Sequence, residues 1–257
     1  MMHRYAPSRR VGLMLVAVGI CYAATASSAP AQHADAKAKQ AAKYQAMVES
    51  LANRNPAPEV VKLGYAKEPF FPRDHDWDED HRVAIAFAAI VRDPSPELWE
   101  ELVKREDDNR YSITMRDNGP NAHNYSVAHL CGLMARQQLG FASRWHTDPD
   151  SHDRPDIYLD LGLDDLAKWR AERAAKSLYE LQLEVCERAL ATVNAAPEDK
   201  VPGRAKPVIR KTIHAWMEQL RRTKRPLFFK LFTDGFEHIN AAEGARLREE
   251  IERSRKR

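Results

Sequence analysis

The sequence is short of cysteine. Three occur among 257 residues, one of them (Cys21) near the N-terminus, so only Cys131 and Cys186 lie in the body of the chain. That excludes a disulfide-dense scaffold and a cysteine-rich metal module. Catalytic signatures are missing too: there is no G-x-S-x-G elbow, no glycine-rich phosphate loop, no G-x-G-x-x-G, no H-E-x-x-H and no C-x-x-C. The common hydrolase, nucleotide-binding and redox classes are correspondingly disfavoured. The apolar run at the N-terminus, Val11 to Ala24, has 14 residues, against the roughly 20 that a membrane-spanning helix needs.

What that run does have is the three-part order of an export signal. Arg4, Arg9 and Arg10 precede it, and small residues including Ala24 and Ala26 follow. Cations stay on the cytoplasmic side, the apolar run enters the channel as a short helix, and small side chains fit the peptidase groove. Cleavage is expected after Ala26, with Ala29 and Ala31 as alternatives. Ile20 before Cys21 departs from a lipobox. Ser8-Arg9-Arg10-Val11-Gly12-Leu13 partly matches a twin-arginine signal, with Gly12 out of pattern.

Net charge is also lacking once the leader is set aside. The whole chain carries 40 basic and 37 acidic residues, and the first 26 residues hold three Arg and no acid, so 37 of each sign remain. A globally basic nucleic-acid binder is therefore not indicated. The 231 residues left when 26 are removed from 257 suffice for a sizeable core.

Helical signals dominate that remainder. Residues 33–52 suggest a helical arm, ended by Asn55-Pro56-Ala57-Pro58, and residues up to Asp76 an extended covering segment. Asp76-Trp77-Asp78-Glu79 is a capping-box-like start before Val83, Phe87, Ile90 and Val91. Ser95-Pro96-Glu97 opens a second helix, and Val127, Leu130, Cys131, Met134 and Leu139 mark a third. Further helices are expected over Asp164 to Lys176, after the capping box Ser177 to Glu180, over Pro207 to Arg222, and from Asn240. No useful period-2 alternation is evident, nor any Asn-Gly or Asp-Gly turn between alternating runs apart from Asp234-Gly235. The expected class is all-α: an irregular multi-helix domain over residues 57–235, preceded by a leader (1–26) and an arm with linker (27–56), and followed by a charged helix (236–257).

Asn55-Pro56 with Val60-Val61, Asp76-Trp77-Asp78-Glu79, Trp99-Glu100-Glu101-Leu102-Val103, Asp107-Asp108-Asn109-Arg110-Tyr111, Asn124-Tyr125-Ser126 and Ser177 to Glu187 together resemble a group of exported bacterial proteins of unknown function. The likeness spans most of the chain beyond the leader. It implies a helical exported protein and supplies no activity. Leu102 and Val103 before Asp108 and Arg110, with an apolar helix from Ser126, are similar to one HEAT-type helix pair, although residues 112–123 intervene where such a pair turns tightly.

Several clusters invite a chemical reading. Arg73 to His81 and His146 to Asp153 are rich in Asp, Glu and His, the ligands of a metal site. The first coincides with a helix start, where acids are favoured by the dipole alone; the second lacks the turn glycine and distal Glu of a calcium loop. Ser126 and His129 are helical neighbours, as a nucleophile and base would be, or a cap and a bystander. Asn124-Tyr125-Ser126 fits a glycosylation sequon. Trp99, Trp169 and Trp216 sit at apolar helical positions, whereas Trp145 borders a polar loop. Cys131 and Cys186 are either bridged in an oxidising compartment or buried as free thiols.

The sharpest charge asymmetry lies between Lys206 and Lys230. Lys206, Arg210, Lys211, Arg221, Arg222, Lys224, Arg225 and Lys230 face a single acid, Glu218, a local charge of +7. Ile209, Ile213, Trp216, Met217 and Leu220 fall on one side, and Leu227-Phe228-Phe229 follows. Such a helix suits an anionic surface, unless its cations pair with acids such as Glu172 or Glu184 of other helices. The expectation is a non-enzymatic helical binding or scaffold protein of the cell envelope, meeting an anionic envelope surface or another envelope protein. The alternative is an exported metal-dependent enzyme using the His/Asp loops. No cofactor is specified.

Overall fold

The computed structural model describes residues 29–117, 119–140, 159, 161–229 and 236–256. The expected export leader (residues 1–26), His146 to Asp153, Trp145, Lys230 and Asp234-Gly235 lie outside these residues. The chain divides into two compact units, residues 1–43 and residues 44–257. In the described part of the first, helix α1 (Ala29–Glu49) exposes Asp35 to Lys43, and Lys39 pairs with Asp35 one turn earlier at 3.3 Å. The second unit opens within the stretch expected as an arm, because Tyr44, Val48 and Leu51 are buried in its core.

The all-α expectation, with its HEAT-like helix pairs, is overturned by two antiparallel sheets. β1 (Glu59–Leu63) and β2 (Ala66–Phe70) form a hairpin where an irregular covering segment was expected. Its two-residue turn is Gly64-Tyr65, with Gly64 at φ +64°, a conformation that glycine reaches without Cβ strain. The second sheet has the order β4-β3-β5, from β3 (Tyr111–Asp117), β4 (Ala122–Ser126) and β5 (Phe236–His238). The sequence between β3 and β4 contains Asn118-Gly119, the hairpin signal passed over in the sequence. Alternation fails in β3 because Ser112, Ile113, Thr114 and Met115 are all buried, so both faces are covered. A bulge lies between Tyr111 and Ile113, and Asn124 Nδ2 donates to Pro58 O at 2.8 Å, tying the hairpin to β4.

The helices begin where their caps put them. Asp76 accepts from Asp78 N and Glu79 N to start α2 (Trp77–Arg92), and Ser95 accepts from Leu98 N to start α3 (Pro96–Val103). Ser126 caps α4 (Val127–Gln138), and Asp165 caps α5 (Leu166–Ala171), much shorter than the helix expected there. Glu180 reaches back to Ser177 N at 2.7 Å to open α6 (Leu178–Ala195). Each bond satisfies an N–H that the first turn cannot. α7 (Lys206–Thr223) and α8 (Ala241–Arg255, capped by Asn240) complete the fold.

The expected apolar face of α7 is buried at Ile209, Ile213, Met217 and Leu220 and packs beside α6, whose Leu181, Val185 and Ala189 share the main core. α3 and α4 pack together as well, but a β-hairpin rather than a tight turn connects them. A second, smaller core gathers Phe71, Ala122, Ile239 and Leu247, with Trp77 at its edge.

Candidate functional site

The acidic run at residues 73–81 does not converge on a vacant point. Asp76 is spent on capping, Arg73 lies near Glu252 at 3.6 Å, and Asp74, Asp78 and His81 are exposed. Glu79 is buried against Arg82, which also donates to the carbonyls of Ser50 and Ala52. That hydrogen bond from Arg82 holds the Glu79 carboxyl down at about 2. His75 and Asp80 form a buried pair, Nε2 to Oδ2 at 3.0 Å, and Asp80 Oδ1 accepts from Asn53 at 2.7 Å and Asn55 at 3.1 Å. Burial pushes Asp80 up, and the bonds from His75, Asn53 and Asn55 outweigh it, leaving the carboxyl below its usual range.

The His–Asp geometry is that of an oriented base without a nucleophile. His75 Nδ1 is buried with no hydrogen-bond partner, and the ring is walled by Phe71 and Trp77 at centroid distances of 4.8 and 4.7 Å. Its side chain has no exposed surface. The chemistry here is structural: it fixes the loop at Asn53 to Asn55 onto the start of α2. Among the described residues no group of three or more His, Cys, Asp or Glu side chains is placed to hold a metal ion.

Ser126 and His129 are neighbours, but the Ser126 hydroxyl accepts from His129 N at 3.1 Å as a helix cap, and the imidazole packs edge-on against Tyr125 at 4.8 Å. The sequon amide of Asn124 is held by Pro58 and Thr114. Cys131 on α4 and Cys186 on α6 are buried free thiols, each pushed up to about 12 chiefly by burial. Trp99 and Trp169 are core residues, and Trp99 Nε1 donates to Ala135 O at 3.0 Å. Trp216 is half-buried under Phe229, ring centroids 4.9 Å apart.

Most arginines of the second unit are paired. Arg105 and Arg110 meet Glu49, Arg116 bridges Glu68 and Glu243, Arg136 meets Glu106, and Arg170 meets Glu100. Glu172 and Glu184, the expected partners for the cations of α7, are instead taken by Arg173, Lys176 and Arg188. On α7 and just after it, Arg221 meets Glu187 at 3.1 Å across open surface, and Arg210 reaches Asn194 and a carbonyl of its own helix. Lys211, Arg222, Lys224 and Arg225 are exposed and make no ion pair among the described residues.

The chain after α7 is held by an arrangement that sequence reasoning missed. Lys224 adopts φ +51° and caps the C-terminus of α7, its N–H donating to Leu220 O. Buried Gln182 of α6 then receives Leu227 N on Oε1 (2.9 Å) and donates to Leu227 O (2.8 Å) and Gln138 O (2.6 Å). Gln138 of α4 does the same for Phe229, accepting from its N at 3.2 Å and donating to its O at 2.9 Å. Two side-chain amides thus act as a strand edge. The available signal was a glutamine, Gln182, on the apolar face formed by Leu178, Leu181 and Val185.

Comparison with family models, with curated proteins and with solved structures returned no match. The function must be read from the residues alone.

Proposed function

We propose that this chain is exported by its N-terminal leader and serves in the cell envelope as a non-enzymatic binding or scaffold protein, meeting an anionic partner through the basic surface of α7. One observation carries this reading: Lys211, Arg222, Lys224 and Arg225 are exposed and make no ion pair among the described residues, in a unit whose other described arginines are mostly neutralised. Unpaired cations keep their hydration and field for a partner, and desolvating them against anions needs no internal ion pair to be broken. The buried His75–Asp80 pair, closed to solvent and without a nucleophile, supports binding over catalysis. Among the described residues no helix is long and apolar enough to cross a membrane.

Two measurements test the proposal. N-terminal sequencing of the envelope-fraction protein should begin near Ser27; an intact Met1 would defeat the export reading. Retention on immobilised polyphosphate should fall with salt and drop sharply when Arg222, Lys224 and Arg225 are changed to Glu. Equal retention of this variant would defeat the basic-surface reading.

A further inference from the structure

Resting on the anionic-partner reading, we propose that the partner of this surface is an anionic lipid bilayer, and that Phe228 is its interfacial anchor. Phe228 is 42% exposed, one of four large hydrophobic side chains so exposed among the described residues. Its exposure is built in. Leu227 and Phe229 are both clamped through their backbone N–H and C=O groups, by Gln182 and Gln138, so the backbone on either side of Phe228 is fixed. Leu227 packs on the main core and Phe229 on Trp216, which leaves Phe228 directed outward. Gly140 serves the same end: at φ +97°, it would bring a Cβ within 3.1 Å of the Phe229 ring if replaced.

Exposed cations lie just before this aromatic in the sequence. Arg221, Arg222, Lys224 and Arg225 precede Phe228 within eight residues, all exposed, and among the described residues only Arg221 of these has a carboxylate partner. The dipole of α7 accounts for cations in its last turn. It accounts neither for Arg225, beyond the helix, nor for a phenyl ring left partly exposed between two residues that buried glutamines hold. A soluble polyanion would use the charges and leave the ring idle. A bilayer uses both, the cations at the headgroups and the ring at the acyl boundary.

The test is co-sedimentation of the envelope-fraction protein, leader state matched across variants, with phosphatidylglycerol or phosphatidylcholine vesicles, alongside binding to soluble polyphosphate. Wild type should prefer the anionic vesicles at low salt. Changing Arg222, Lys224 and Arg225 to Glu should weaken vesicle and polyphosphate binding together, by ~100-fold or more, since each cation at such a surface is worth about fivefold. Phe228→Ser should weaken vesicle binding about tenfold and leave polyphosphate binding and the melting temperature unchanged. Vesicle binding unaffected by Phe228→Ser, or polyphosphate bound with no vesicle binding, overturns the bilayer proposal while sparing the anionic reading. Neither ligand bound overturns both.

Discussion

Gly244 of α8 lies directly beneath the indole of Trp77: a Cβ built on it would stand 2.2 Å from Trp77 Cη2 and 3.3 Å from Phe71. The missing side chain lets α8 approach the small core of Phe71, Ala122, Ile239 and Leu247. Gly244→Ala should therefore destabilise, by about 1–3 kcal/mol, even though alanine is the better helix former. A lower urea midpoint is expected; an unchanged or higher one would show that the indole moves aside freely.

Gln182→Leu keeps the volume and removes the clamp. Leu227 N, Leu227 O and Gln138 O each lose a partner, and a buried unsatisfied group costs about 1–3 kcal/mol. Hydrogen exchange should show the Leu227 amide losing its protection while amides of α6 keep theirs. Retained protection at Leu227 would assign the order of that segment to its apolar contacts.

Acid should weaken the second unit through Glu79 and Asp80. Both carboxyls are held below their usual range when folded, Glu79 at about 2 through Arg82. Their contribution is thus present in full above the unfolded values and is lost as pH falls through the folded ones. Between about pH 5 and pH 2 the stability should drop by about 1–3 kcal/mol for Glu79 alone. Glu79→Gln should be less stable at pH 7 and flatter across that range; a slope identical to wild type would assign the acid sensitivity elsewhere.

Cys131 and Cys186 should behave as two inert thiols. Burial pushes both up to about 12, so little thiolate exists at neutral pH and the native protein should react slowly with thiol reagents. Denaturation without reductant of protein lacking the leader, and with it Cys21, should release two titratable thiols. Finding none would mean that the chain is bridged.

The candidate sites were legible as residue types and not as arrangements. Arg73 to His81 reads as a ligand cluster because its acids and imidazoles are adjacent in sequence. Their roles were settled by Asn53, Asn55 and Arg82, which close Asp80 and Glu79 from other turns of the chain. The basic stretch was visible as a count of charges. Its lack of partners depends on Glu184 being nearer to Arg173 and Lys176, at 2.7 Å each.

Local sequence by itself determined where most helices begin, since a cap at Asp76, Ser95, Ser126, Ser177 or Asn240 acts on N–H groups within three residues. It also determined the apolar face of α7, because one helical period places Ile209, Ile213, Met217 and Leu220 together. Tertiary structure decided the rest. β3 exists as the middle of a sheet whose third strand arrives more than a hundred residues later, and coverage of both its faces erased the alternation that marks a half-buried strand. The chain around Phe228 is held because glutamines 46 and 90 residues upstream, Gln182 and Gln138, bind the backbone on either side of it. Hydrogen bonds across such distances in the chain leave no periodicity to read; they form only once packing has brought the elements together.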